Sequence, residues 1–297
     1  MSKTIIFFGN ERLVSGLEST DAPILTSLIQ QGYKVLAVVS HHTESISRKS
    51  RSLEVATIAK SHSIPLFLPD EPIEIYDQLA NLHADAAILS AYGRIVPQKI
   101  IDLFPSGIIN VHPSLLPKYR GPTPIESAIL NGDTKTGVSI IQLSAKMDAG
   151  PIYAQKQIVL TGTETKFDVY KQLSKEGEKL LLEILPAIFG GSLKPSPQEG
   201  EPVYCSLLEK TDGILNPQTQ TATEVERQIR AYLDFPKTKL SFKEGSIIIT
   251  KAHVAEEVNE KLFTVSFKND SLLTIDELIA PSGKRMSGEA FKNGYAT

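Results

Sequence analysis

The sequence contains one cysteine and no long apolar run, and these two features exclude several classes of protein. Its single cysteine, Cys205, cannot form a disulfide within the chain and cannot by itself build a metal site. A reducing compartment suits such a chain, so we expect a cytoplasmic protein. No stretch approaches the roughly 20 consecutive apolar residues of a membrane helix. We therefore expect no membrane partner.

The sequence also lacks a dinucleotide-binding fingerprint and an excess of positive charge. Gly9 and Gly16 follow the first apolar run, but no further glycine comes at the spacing of a pyrophosphate-binding turn, so we expect no nicotinamide cofactor. Residues 1–209 carry 19 basic and 22 acidic side chains, and residues 210–297 carry 12 of each. Because nonspecific phosphate binding usually needs a basic excess, any contact with RNA must be local.

What the sequence does contain is a series of short apolar runs separated by helix-forming segments. The runs are residues 4–8, 35–39, 65–68, 86–89, 108–111 and 138–143. Runs of this kind predict an α/β domain with an open, mostly parallel, Rossmann-like sheet. A long helix is predicted over Thr165–Phe189, with Gly190 and Gly191 at its end. We therefore place the first domain at residues 1–191.

The rest of the chain has a different pattern. Residues 192–209 are rich in proline and polar side chains, which predicts a linker. In the last domain, residues 210–297, Thr221 and Glu224 have the spacing of a capping box at the start of a helix. Four short predicted strands follow, at residues 239–242, 246–254, 262–267 and 272–278. A small, OB-like β-barrel is the simplest packing for them.

Three polar residues carry the candidate chemistry. If residues 107–111 form a buried strand, Asn110 and His112 leave the same face near its C-terminal end, where parallel sheets bind ligands. An amide and a protonated imidazole can both donate to an oxyanion. Asp148, if folded against them, would favour the protonated form of His112 and could itself accept a proton. A buried polar network without chemistry is the alternative.

The chain shows no serine or cysteine nucleophile with a base at a recognisable spacing. This absence favours direct acyl transfer between two bound substrates over a covalent acyl-enzyme.

Residues 110–121, Asn-Val-His-Pro-Ser-Leu-Leu-Pro-Lys-Tyr-Arg-Gly, resemble the signature of the 10-formyltetrahydrofolate-dependent formyltransferases. Residues 91–97, 136–139 and 147–152 resemble that family in order and spacing. The resemblance implies 10-formyltetrahydrofolate as co-substrate and Asn110, His112 and Asp148 as catalytic residues. It also implies that the folate lies against a second set of residues, namely Ile88, Leu89, Ser90, Tyr92, Gly93, Ser114, Leu115, Leu116 and Pro117.

Residues 210–217, 229–236 and 281–295 resemble the C-terminal domain of one branch of this family, the methionyl-tRNA formyltransferases. The chain has no tryptophan, and residues 234–236 are Asp-Phe-Pro where the family usually has Pro-Trp-Pro. This branch implies a monomer that formylates the α-amino group of methionine on initiator tRNA, for translation initiation. The implied tRNA contacts are Arg48, Lys49, Arg51, Lys237, Lys239, Lys251, Lys284 and Arg285.

Two other functions stay open on the sequence. An amino-sugar N-formyltransferase would use the same folate donor and the same polar residues on a nucleotide sugar. The modest charge and the short basic loop at residues 40–53 favour it, whereas the C-terminal tail does not. A noncatalytic folate- or RNA-binding protein would tolerate the fold but would have no evident need for all three polar groups.

Overall fold

The computed structural model describes residues 3–17, 19–41, 53–243 and 245–295. The chain divides into two compact units. The first comprises Met1–Pro124, Lys135–Val159 and Tyr170–Ser206, and the second comprises Ile125–Thr134, Leu160–Val169 and Leu207–Thr297. None of the helices in these described ranges has the length and apolar character needed to cross a bilayer.

The first unit contains a seven-stranded mixed sheet. Its strands are β1 (Thr4–Gly9), β2 (Lys34–Val39), β3 (Leu66–Phe67), β4 (Ala86–Ser90), β5 (Ile108–His112), β6 (Lys135–Gln142) and β7 (Ile152–Val159). The order across the sheet is β3-β2-β1-β4-β5-β6-β7. Strands β1 to β5 pair in parallel, whereas β6 and β7 are antiparallel to their neighbours. In such a sheet, ligands bind at the C-terminal ends of the parallel strands.

Both faces of this sheet are buried. Because side chains alternate along a strand, Phe7 and Phe8 of β1 belong to two different hydrophobic clusters. The first cluster includes Leu28 and Leu181, and the second includes Ile100. The helices of this part of the chain are α1 (Pro23–Gln30), α2 (Glu54–Ser61), α3 (Tyr76–Asn81), α4 (Gln98–Ile101), α5 (Pro124–Leu130) and α6 (Lys166–Phe189).

The end of β1 is tightly constrained. Gly9 has φ +130°, and a Cβ there would lie 1.8 Å from the carbonyl oxygen of Ser90. Only glycine therefore lets β1 and β4 approach this closely.

The buried carboxylate of Glu11 accepts hydrogen bonds from the amides of Ile24 and Leu25 at the start of α1, each at 2.9 Å. Burial raises the pKa of Glu11 to about 7.

The second unit contains a five-stranded antiparallel sheet, curled into half of a barrel. Its strands are β8 (Thr238–Phe242), β9 (Gly245–Ala255), β10 (Thr264–Ser266), β11 (Leu272–Ile279) and β12 (Arg285–Ser287). The order is β10-β11-β9-β8, and β12 pairs with β11. Helices α7 (Ala222–Ala231) and α8 (Gly288–Tyr295) contribute Ile229 and Phe291 to the core beside Ile247 and Leu273.

The predicted fold class is confirmed, with a Rossmann-like sheet followed by antiparallel strands. The capping box is also confirmed, because the Glu224 amide donates to Thr221 Oγ1 and the Thr221 amide donates to Glu224 Oε2. Among the α-helices and strands of the described ranges, the sequence did not predict β7, β12 and α8.

Candidate active site

Strand β5 positions two of the three predicted catalytic side chains. Asn110 pairs with Leu89 of β4 on one side and with Ile141 of β6 on the other, so the strand is fixed from both edges. His112 is its last residue. Because they are two positions apart, Asn110 and His112 leave the same face of the sheet, and both are buried.

The two ring nitrogens of His112 have different surroundings. Nε2 lies 2.9 Å from the carbonyl oxygen of Tyr119, and since a carbonyl only accepts, Nε2 is the donor. Nδ1 faces the carboxylate of Asp148, with 3.7 Å between Nδ1 and Oδ2. Nε2 is thus held by the backbone, and Nδ1 is the ring atom that faces the carboxylate.

The loop between β6 and β7 supplies Asp148. Its backbone is left-handed, with φ +46°, which is uncommon for a residue with a side chain. Oδ2 accepts a hydrogen bond of 2.9 Å from the amide of Gly121. The side chains of His112 and Asp148 are 6% and 15% exposed, so the pair is open to solvent mainly on the Asp148 side. The structure thus brings these two predicted residues together.

The predicted folate contacts on β4 are mostly core residues. The side chains of Ile88 and Leu89 belong to the two hydrophobic clusters, which leaves their backbone as the part that a ligand could contact. The ring of Tyr92 packs edge-on against Phe8, with 5.4 Å between centroids. Gly93 has a positive φ of 71°.

Two hydroxyls at this end of β4 are buried and lack a hydrogen-bond partner within the described ranges, namely Ser90 Oγ and Tyr92 Oη. Burial raises the pKa of Tyr92 to about 12. A buried polar group without a partner costs free energy, so these two hydroxyls destabilise this end of β4.

A hydrogen-bond network fixes the predicted folate loop, residues 114–117. Ser139 Oγ on β6 donates to the carbonyl of Ser114 at 2.6 Å and accepts from the amide of Leu116 at 3.1 Å. Gln155 on β7 donates to the Leu116 carbonyl at 2.9 Å. Neither Ser139 nor Gln155 is among the site residues predicted from the sequence. The motif at 136–139 contains the first, whereas nothing local singles out the second.

Leu115 and Pro117, the other two predicted contacts in this loop, are half-buried. Leu115 packs over Gly137, where a Cβ would lie 2.4 Å from its Cδ2.

The predicted RNA contacts divide into three groups. Arg48, Lys49 and Arg51 lie outside the described residues. A second group, Lys237, Lys251 and Arg285, lines a cleft of about 580 Å³ in the second unit. Lys239 and Lys284 are not among the residues that line it.

The cleft, which we call the β9 cleft because residues 248–253 line it, is mixed in charge. Arg230 pairs with Glu226 at 2.6 Å, His253 with Asp276 at 3.0 Å, and Arg285 with Glu277 at 3.8 Å. Lys237 and Lys251 have no ion-pair partner in the described part of the chain. They are therefore the cations of this cleft most available to a phosphate.

The fold and the sequence together define a class of protein. The formyl transferase family model matches residues 12–185, and the model of the formyl transferase C-terminal domain matches residues 207–296. The chain belongs to the formyl transferase family.

Within that family, the chain is similar to methionyl-tRNA formyltransferases. The Lactobacillus acidophilus protein of that name is 33% identical, over 95% of this chain and 94% of its own length. The Thermodesulfovibrio yellowstonii protein is 31% identical, over 99% of this chain and 96% of its own length. The likeness therefore extends through both family domains.

Solved structures share the fold at lower identity. HypX from Aquifex aeolicus, solved with tetrahydrofolic acid, has a TM-score of 0.66 and 16% identity over 98% of this chain, which spans 46% of HypX. An N-formyltransferase from Helicobacter canadensis, solved with folinic acid and dTDP-3-aminofucose, has a TM-score of 0.69 and 20% identity, over 93% of this chain and 99% of its own. At such identities the likeness concerns the fold alone.

Proposed function

We propose that this protein transfers the formyl group of 10-formyltetrahydrofolate to the α-amino group of methionine on initiator methionyl-tRNA, for translation initiation. The observation that carries the proposal is the pairing of His112 with Asp148, 3.7 Å apart, beside Asn110 at the end of β5. It occurs in a chain that resembles methionyl-tRNA formyltransferases along nearly its whole length.

In the proposed reaction the methionine amine attacks the formyl carbon, and the carbonyl π electrons move to the oxygen. The amide N–H of Asn110 and the Nδ1–H of His112 donate to that oxyanion. Nε2 stays on the Tyr119 carbonyl and holds the ring in place. Asp148 takes the proton that the new ammonium releases. When the carbonyl re-forms, the bond from the formyl carbon to N10 breaks, and N10 takes the proton held by Asp148, which gives tetrahydrofolate and restores the carboxylate.

The folate would lie along the end of β4 and the loop of residues 114–117. Its pterin ring carries several hydrogen-bond donors and acceptors, which backbone groups can meet. The backbone of Ile88 and Leu89 would supply further contacts, because the side chains of both residues lie in the core.

The RNA would be held mainly by residues 210–297, with residues 1–191 supplying the proposed catalytic residues. Lys237 and Lys251 in the β9 cleft are the strongest candidates for phosphate contacts, since neither has an ion-pair partner in the described ranges. Lys239, Lys284, Arg285 and the basic loop with Arg48, Lys49 and Arg51 would add further positive charge. We propose a monomer that acts in the cytoplasm.

The test is a formyl-transfer assay with 10-formyltetrahydrofolate and two separate acceptors, charged initiator tRNA and a set of nucleotide amino sugars. We expect N-formylmethionyl-tRNA and no formylated sugar. Formylation of the sugars alone would move the assignment to an amino-sugar N-formyltransferase. Transfer to neither acceptor, by protein that still binds folate, would indicate a noncatalytic binding protein.

A further inference from the structure

Residues 196–206 of the first unit lie against both loops of the candidate site. Ser196 and Ile152, at the start of β7, exchange two backbone hydrogen bonds of 2.7 and 2.9 Å. The Arg120 amide, in the loop after β5, donates to the carbonyl of Val203 at 2.8 Å. This segment is therefore bonded to the loop that follows His112 and to the strand that follows Asp148.

One side chain in the segment, Gln198, joins the two loops directly. Its Nε2 donates to the carbonyl oxygens of Asp148 and Gly150, at 2.7 and 2.8 Å. Its Oε1 accepts from Nε and Nη2 of Arg120, at 3.0 and 2.6 Å. Both donor hydrogens and both acceptor lone pairs of the amide are thus used. A side chain with this complete set of partners holds its neighbours in one geometry.

The backbone that Gln198 holds is strained. Asp148 has φ +46°, a left-handed conformation that costs roughly 1–2 kcal/mol for a residue with a Cβ. At Gly150 a Cβ would lie 1.8 Å from the carbonyl oxygen of Gln142, so the loop also passes close to the end of β6. A strained conformation persists only where the surrounding structure determines it. The two hydrogen bonds from Gln198 end on this turn.

We propose that Gln198 is a positioning residue for formyl transfer. By fixing the carbonyls of Asp148 and Gly150, it sets the distance between the Asp148 carboxylate and His112. Its bond to Arg120 keeps the Gly121 amide, the donor to Asp148 Oδ2, in register with that carboxylate. The inference rests on the proposed function, because it assigns to Gln198 an effect on the step that uses Asp148.

Gln198→Glu is the sharpest variant. It keeps the size of the side chain and the partner of Arg120, but it has no N–H to donate to the two carbonyls. Gln172→Glu, the same change at an exposed position of α6, is the matched control. A misplacement of about 1 Å at a reacting group can cost about 100-fold in rate. We expect the kcat of Gln198→Glu to fall about 10- to 100-fold, with KM for folate and tRNA within about twofold and Gln172→Glu unchanged.

A double-mutant cycle with Asp148→Asn separates positioning from a general loss of structure. If Gln198 acts through Asp148, Gln198→Glu lowers kcat in the wild-type background and changes it little in the Asp148→Asn background. A second readout needs no substrate. Hydrogen exchange of the Gly121 amide should accelerate about tenfold or more in Gln198→Glu, because its acceptor is less well placed.

Two results would overturn the inference: equal losses of kcat in both backgrounds, or wild-type kcat in Gln198→Glu with unchanged exchange at Gly121. The failure of the proposed function is distinguishable from both. In that case the wild-type protein formylates no tRNA, or Asp148→Asn formylates it at the wild-type rate.

Discussion

Two pairs of a basic and an acidic side chain, one pair in each unit, differ in what surrounds them. In the first unit, His112 and Asp148 are 6% and 15% exposed, and the 3.7 Å between Nδ1 and Oδ2 is too long for a hydrogen bond. In the second unit, Lys166 and Glu126 are 0% and 1% exposed, with 4.0 Å between Nζ and Oε1. Lys166 Nζ also donates to the carbonyl of Phe235 at 2.9 Å.

Burial alone therefore does not identify a functional pair. Lys166 is enclosed and directed at protein atoms, so a substrate cannot reach it. Asp148 keeps part of its carboxylate accessible, and a strained backbone aims it at His112. Access for a substrate therefore separates a pair suited to chemistry from a pair that stabilises the fold.

The greatest loss of stability should come from breaking the enclosed pair, Lys166 and Glu126. Lys166→Met removes the cation that lies 4.0 Å from Glu126 Oε1, and losing one partner of a buried ion pair typically costs about 3–5 kcal/mol. Urea unfolding measures the loss. Adding Glu126→Gln should restore most of the stability, since the double variant buries neither charge. A double variant as unstable as Lys166→Met would show that the pair does not act as a unit.

Next in size is the expected effect of removing one of the two proposed oxyanion donors, Asn110 or His112. We expect Asn110→Ala and His112→Ala each to lower kcat about 10²- to 10³-fold, the usual effect of removing one such donor. The measurement is kcat at saturating folate and tRNA, on protein shown by circular dichroism to be folded. Near-normal turnover of either variant would refute the role assigned to that residue.

A smaller effect is the expected pH dependence of the free energy of unfolding caused by Lys166. Burial lowers the pKa of Lys166 from 10.5 to about 8, so the unfolded chain binds more protons than the folded one between these values. The contribution of Lys166 to stability therefore rises with pH across that window, by about 1–3 kcal/mol, and is lost as pH falls through 8. The difference between wild type and Lys166→Met in unfolding free energy, measured from pH 7 to 10.5, checks this sign. A flat difference would contradict it.

The smallest effect should be on tRNA binding by Lys237 and Lys251, which lack an ion-pair partner in the described ranges. Lys237→Glu with Lys251→Glu should raise the KM for tRNA and flatten its salt dependence, by a slope of about 0.9 for each phosphate that the protein no longer neutralises. The KM for folate should not change. An unchanged tRNA KM and slope would argue against RNA in the β9 cleft. Lys261→Glu, an exposed lysine that does not line the cleft, is the control.

Much of the fold follows from local sequence pattern. The apolar runs at residues 4–8 and 108–111 predicted β1 and β5, because a strand buried on both faces needs no polar alternation. Strand β7 was not predicted because it is not an apolar run. It forms the edge of the sheet and carries the exposed polar residues 155–157. Strand β12 has only three residues, too few for a periodic signal.

The candidate site was only partly predictable. The motif around residues 110–112 and the one around Asp148 could be found separately, but their approach depends on partners far along the chain. Gln198 is 50 residues from Asp148, and it lies in a proline-rich stretch that the local pattern predicts as a linker. Lys166, at the start of α6, has the local pattern of a solvent-facing lysine. Its burial depends on Phe235, 69 residues away.

The most direct test of the account is the kcat of Asp148→Asn. This substitution keeps an oxygen that can accept from the Gly121 amide but removes the negative charge facing His112 Nδ1. We predict a fall in kcat of about 10-fold or more on tRNA, with an unfolding curve that matches wild type. A kcat within about twofold of wild type would contradict the claim that this pair performs the chemistry.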